Sequence, residues 1–155
     1  MENEIKNLVS LLKQTFEKGA WHGPSVQEAL EKISESDAFK RLPHTHSILE
    51  LIAHMTAWRI YAIKKLEGDS AYQVTADLNF PEVKNWEEAV QRLKESQQLL
   101  LSALEIFPAK KLSEQVPGKE TPLTYYTLVH GIIHHDLYHT GQIMLIEKAN
   151  STQTF

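Results

Sequence analysis

Apolar residues recur every three or four positions along nearly the whole chain, and no stretch alternates apolar with polar as a half-buried strand does. That pattern restricts the chain to helices packed on helices. Ile5, Leu8, Leu12 and Phe16 share one stripe, which Gly19 stops. After the turn Trp21-His22-Gly23-Pro24, Ser25 and Glu28 spell a capping box that leads a short helix through about Ile33. Ser47 and Glu50 repeat the device before a second long segment, which runs to Gly68. Asn85 and Glu88 introduce a third, with Trp86, Val90, Leu93, Leu100 and Leu104 near one face, ending at Pro108. The fourth opens with Thr121 as N-cap and Pro122 at the first helical position, and continues to about Lys148. At ~1.5 Å per residue this last helix is about 40 Å long.

Four long amphipathic helices in 155 residues predict a single all-α domain over 1–155, a four-helix bundle. Residues 69–84 are too many for a tight hairpin. They either cross the bundle and leave the second and third helices parallel, or form a loose hairpin loop; length alone leaves both open. The stretches 19–24 and 108–120 fall at the ends of the bundle as loops able to roof a pocket.

Composition narrows the chemistry. The formal net charge is −4, with no block of like charge, so neither a nucleic acid nor a membrane surface is an expected partner. The start, MENEIKNLVSLLKQ, lacks the pattern of a secretory signal, and no window approaches ~18 consecutive apolar residues. A cytoplasmic enzyme or binding protein acting on a small molecule is the expectation. Cysteine is absent, which excludes thiolate metal sites and a cysteine nucleophile and leaves imidazole and carboxylate as the strong metal ligands.

Half of the eight histidines fall between His130 and His139. At about 100° per residue, with His130 at zero, His135 lies near 140° and His139 near 180°, within the stripe of Leu128, Ile132, Ile143 and Ile146. His130 and His134 are also four apart, on a face shared with Thr127, Gly141 and Lys148, and read as peripheral or subunit-facing. Two inward imidazoles spaced in this way are half of a transition-metal site or, in the bland alternative, a hydrogen-bonded core pair. His54, in the middle of SILELIAHMTAWRIYAIKKL and flanked by Leu51, Trp58 and Tyr61, is the candidate third ligand. Three imidazoles leave a coordination position open, the arrangement of a catalytic metal. His22, His44 and His46 read as solvated, Glu50 as engaged in its cap, and Asp136 as turned about 100° away from His135. Trp21, Trp58 and Tyr61 are candidates to line the pocket mouth. The motifs His-Glu-x-x-His, Glu-x-x-His, Gly-x-Ser-x-Gly and the glycine-rich phosphate loop are absent.

Taken together, HHDLYHTGQI on the last helix, SILELIAHMTAW on the second and the early AWHGPS turn resemble the DinB-like (DinB/YfiT) superfamily of bacterial proteins. The resemblance runs from the first helix through Gln142. It implies an up-down-down-up four-helix bundle, usually dimeric, with a divalent metal, commonly zinc or nickel, on His54, His135 and His139. For activity it implies a metal-dependent hydrolase or, alternatively, a transferase or isomerase that uses a low-molecular-weight thiol. A non-catalytic bundle with a structural metal is the rival from another class. A second stripe on the last helix, Tyr126, Ile133, Leu137 and Met144, either packs within the bundle or forms a homodimer interface.

Overall fold

The structure, a computed structural model, describes residues 2–118 and 123–151. It is all-helical, 66% helix, with no strand among the described residues. Seven α-helices follow one another: α1 (Glu2–Phe16), α2 (Val26–Leu30), α3 (Glu35–Ala38), α4 (Ile48–Leu66), α5 (Ala76–Asn79), α6 (Trp86–Glu105) and α7 (Tyr125–Ser151), with a short 3₁₀ turn at Ala109–Lys111. None of the described helices is long and apolar enough to cross a membrane.

The caps explain where most of these helices begin. Ser25 and Ser47 each accept from a backbone N–H three residues on while Glu28 and Glu50 reach back, so both capping boxes form as the spelling predicts. Asn85 caps α6 in the expected place. Two short helices come from signals the apolar pattern hides, because each has a cap and too few residues to show a period: Ser34 caps α3 and Thr75 caps α5. The short helix after Ser25 ends at Leu30 rather than Ile33. The expected cap at Thr121 and Pro122 lies outside the described residues. Helix α7 starts at Tyr125, and Thr124 Oγ1 accepts from the Thr127 N–H at 3.1 Å.

Two clusters make the core. One joins Ile5, Leu8 and Leu12 of α1 with Ala62 and Leu66 of α4, Leu100 and Leu104 of α6, and Tyr125 and Val129 of α7. The other joins Phe16 with Ile48 and Ile52, Trp86 and Leu93, and Ile143 and Ile146. The first therefore gathers the beginnings of α1 and α7 with the ends of α4 and α6, and the second gathers the opposite ends. Helix α4 packs against α6 and α7, and α1 packs against the same two.

The segment between α4 and α6 travels from one cluster to the other. Tyr72 and Val74 pack on the first cluster and Val83 on the second, with α5 between them. Its start is fixed by the buried Lys65, whose ammonium donates to the carbonyls of Asp69 and Ser70. It is fixed again at Gly118, where φ is +80° and an added Cβ would lie 2.7 Å from the Ser70 carbonyl oxygen, so a side chain there is excluded both by conformation and by space. On α7, Ile133 is buried in the first cluster and Leu137 packs against it, so these two members of the second stripe serve the chain's own core.

Candidate metal centre

Near the middle of α4, His54 meets His135 and His139 of α7. His54 and His139 are 7% and 6% exposed, and His135 is half-buried. His135 Nε2 lies 3.0 Å from His54 Nε2 and 3.1 Å from His139 Nε2. One ligand atom from each ring falls within 4.8 Å of the others, close enough for the three to bind one metal ion. Four tetrahedral ligands on ~2.1 Å bonds are about 3.4 Å apart, so the two short contacts of His135 would have to open slightly to accept an ion.

The outer nitrogens decide what the inner ones present. His54 Nδ1 is 2.7 Å from the Asn79 carbonyl, which can only accept, so the His54 proton is on Nδ1 and its Nε2 offers a lone pair. His139 Nδ1 donates likewise to Gln142 Oε1 at 2.7 Å, while the Gln142 amide donates to the Tyr138 hydroxyl at 3.3 Å. His135 has one proton to give and its Nδ1 is buried with no hydrogen-bond partner. A single proton on His135 Nε2 can satisfy one neighbour, and the remaining lone pair faces a nitrogen that has nothing to offer it. A cation among the three nitrogens satisfies all of them.

Protonation is the other escape, and burial works against it. Burial, followed by the charges of His139 and His54, pushes His135 down to about 3. Burial pushes His139 down to about 4, against the hydrogen bond to Gln142. His54 is lowered for the same first reason, against its bond to Asn79. The three rings are therefore neutral donors at physiological pH, the form in which histidine binds metal.

The surroundings are aromatic. Phe80 stacks on His54 at 4.3 Å, and His46 stacks on Phe80 at 3.8 Å, so an exposed histidine that reads as solvated belongs to a column ending at the cluster. Trp58 meets His54 at 6.4 Å and His135 at 6.3 Å, and its indole N–H donates to Asn79 Oδ1 at 2.9 Å. Asn79 thus holds His54 with its backbone and Trp58 with its side chain. Tyr61 is buried and packs edge-on against Trp58 rather than against the imidazoles. Trp21 is 91% exposed in the turn after α1, and the ring it meets is His22; the structure does not bring it to the three imidazoles. Nothing in the local sequence there buries an indole.

Asn79, Phe80 and Gln142 escape a reading by motif. Gln142 carries a signal, since it is three residues beyond His139 on the same helix. Asn79 and Phe80 carry none, because their placement depends on the path of a long connection. Asp136 turns away from the cluster, as the helical spacing predicts, and pairs with Arg59 instead.

Comparison with known proteins identifies the fold and the family. No curated protein matches the chain. A solved DinB-like protein from Bacillus subtilis superposes with a TM-score of 0.63 over 96% of this chain and 92% of its own, at 17% identity, so the two share a fold. The model of the DinB superfamily matches residues 20–143, a span that includes all three histidines. The chain belongs to the DinB superfamily.

Proposed function

We propose that the protein is a divalent-metal-dependent enzyme, hydrolase-like in its chemistry, with His54, His135 and His139 as the metal ligands and a coordination position left for a small-molecule substrate. The observation that carries the reading is the set of three imidazoles, two buried and one half-buried, in which His135 Nε2 lies about 3 Å from the Nε2 atoms of both His54 and His139. Zinc and nickel both suit an all-imidazole donor set. The frame we infer is an up-down-down-up four-helix bundle of α1, α4, α6 and α7. In support, each core cluster gathers the start of α1 or its end with the matching end of α7 and the opposite ends of α4 and α6.

A bound divalent ion would supply Lewis acidity, lowering the pKa of a water or thiol beside it. The chain's own residues do the rest. Asn79 and Gln142 hold two of the rings in the tautomer that presents Nε2. Phe80 and Trp58 keep the His54 ring in place and shield it from bulk water. Among the described residues no carboxylate hydrogen-bonds to the three rings. That favours a second reading, transfer of a low-molecular-weight thiol, since a thiolate needs no positioned base once formed and suits an aromatic setting.

Metal-free and zinc- or nickel-loaded protein, tag removed, should be assayed against a panel of ester and amide substrates and, with a thiol added, against monobromobimane. Metal-dependent turnover that His54→Ala abolishes is the expected result. Hydrolysis supports the leading reading and conjugation the second. Rates equal to those of His54→Ala in both assays would overturn the enzyme reading and leave a binding protein with a structural metal. Dimerisation through the exposed part of α7, including Tyr126, belongs to the same proposal, and light scattering reads it as a doubled mass.

A further inference from the structure

A cleft of about 1020 Å³ lies between α1 and the residues that follow α6, and it shares no residue with the histidine centre. Along α1 its wall runs from Ile5 to Gln14, about 14 Å of helix. The facing wall is Glu105 with the stretch from Phe107 to Lys110. Ile5 and Phe107 are buried and Val9 is partly buried, so the cleft has an apolar base. Lys6, Lys13 and Lys110 line it as well and are exposed, and among the described residues none of the three pairs with a carboxylate. Ser10 and Gln14 bond to each other at 3.4 Å, which leaves the lysines as the polar groups that want a partner. Glu105 is the one acidic residue of the lining. Three cations against one anion reverse the balance of the whole chain, whose net charge is −4.

We propose that this cleft binds a free fatty carboxylate, with the acyl chain on Ile5, Val9 and Phe107 and the carboxylate held by the lysines. An apolar base with unpaired ammonium groups beside it complements a molecule that has one long apolar part and one anionic end. The run of α1 sets the length, which an extended decanoate roughly matches. A second copy of the chain is the poorer occupant: a two-fold interface would set this lysine-rich face against itself, like charge on like. The cleft is open to solvent, so the chain is only partly desolvated and the affinity is modest. The proposal is independent of the catalytic reading, because none of the lining residues belongs to the histidine centre.

Tag-free protein is titrated with hexanoate, octanoate and decanoate, below the concentrations at which they self-associate, and followed by amide shifts in nitrogen-15 spectra. Saturable shifts centred on residues 5–14 and 105–110 are expected, with binding tightened about threefold per added CH₂. Decyltrimethylammonium, which has the same chain and the opposite charge, should bind at least about 10-fold more weakly than decanoate, and so should decanoate to a Lys6→Gln/Lys13→Gln/Lys110→Gln variant. Those three positions are exposed, so the variant should keep its melting temperature. His135→Ala should bind decanoate as the wild type does, which separates this cleft from coordination of the carboxylate by a metal. Equal affinity for the anionic and cationic chains, shifts centred on the histidines, or no dependence on chain length would overturn the proposal. So would sedimentation of the protein with phosphatidylglycerol vesicles, which assigns the face to a membrane surface, or a doubled mass by light scattering that Ser10→Trp abolishes, which assigns it to a second copy.

Discussion

Helices α4 and α7 are joined by two buried polar clusters about one turn apart, and they resolve the cost of burial in opposite ways. Five residues beyond His54, Arg59 points into the core with none of its side chain exposed, and Asp136, next to His135, meets it there with none of its own. Gln97 of α6 accepts from the guanidinium at 2.6 Å and donates to the Leu12 carbonyl of α1 at 3.3 Å, while Phe16 lies under the guanidinium at 4.5 Å. Positive charge, negative charge and amide pair with one another, although Arg59 Nε and Asp136 Oδ1 are buried without a hydrogen-bond partner, and the cluster binds the four long helices together. The histidine cluster is the reverse case: three donors of the same kind, with no internal partner for all of them. What distinguishes the candidate functional site from the structural one here is that its three members are alike and hold no opposite charge, whereas Arg59 and Asp136 form an ion pair.

Breaking the closed cluster should produce the largest effect. Arg59→Met leaves the Asp136 carboxylate buried and unpaired and should cost about 3–5 kcal/mol of stability, read by urea denaturation. Replacing both partners with apolar residues of similar volume, Arg59→Met with Asp136→Leu, should restore most of that loss. If the single substitution costs less than about 1 kcal/mol, the two clusters do not differ in the way described.

Opening the histidine cluster should do the opposite. His135→Ala should leave the stability of the metal-free protein nearly unchanged or raised, since it removes a buried nitrogen that has no partner, while reducing metal affinity by more than about 100-fold. Competition with a chromophoric chelator measures the second effect. A variant that unfolds but still binds metal would reverse the assignments of the two clusters.

Acid should separate them further. The folded pKa values of His135 and His139, about 3 and about 4, lie below the ordinary 6.5, so the unfolded chain binds more protons than the folded one in between. The contribution of these two histidines to the stability of the metal-free protein is therefore fully expressed above pH 6.5 and declines as the pH falls through that value toward 4, and it outnumbers the opposite contribution of Asp136, which burial pushes up to about 6. Metal affinity declines over the same range, because protons compete for the same nitrogens. Thermal melts from pH 7.5 to 4.5 test the sign, and a melting temperature that rises on acidification over this window contradicts it.

These contrasts also show why one part of the site can be read from the chain and another cannot. Helical periodicity puts His54, His135 and His139 on inward stripes because a rigid helix fixes every side chain's bearing from its position alone. The same rule turns Asp136 away from the metal ligands. A further signal goes unused in the run IAHMTAWRIYAI, where Arg59 lies among apolar residues and therefore demands a buried counter-charge, for which Asp136, in its own apolar stripe, is the natural partner. Asn79 and Phe80 are a different matter. They reach His54 only because the chain between α4 and α6 returns along α4, and nothing periodic in 67–85 specifies that route. Trp21 shows the converse limit: an aromatic residue in a glycine- and proline-bounded turn has no stripe to assign it a direction, and it faces solvent.

The smallest predicted effect is on the outer shell. Gln142→Ala removes the acceptor that holds the His139 tautomer and should weaken metal binding about 10-fold, with the fold intact. Unchanged affinity would mean that the His139 ring is held by packing against Tyr138 and His135 instead.

The central claim is that three imidazoles from two helices share one ion. Diffraction from crystals of tag-free protein, recorded on both sides of the zinc and nickel absorption edges, tests it most directly. The account predicts an anomalous peak enclosed by the Nε2 atoms of His54, His135 and His139. No peak there after growth with either metal, with the rings paired by N–H to N hydrogen bonds, would contradict it.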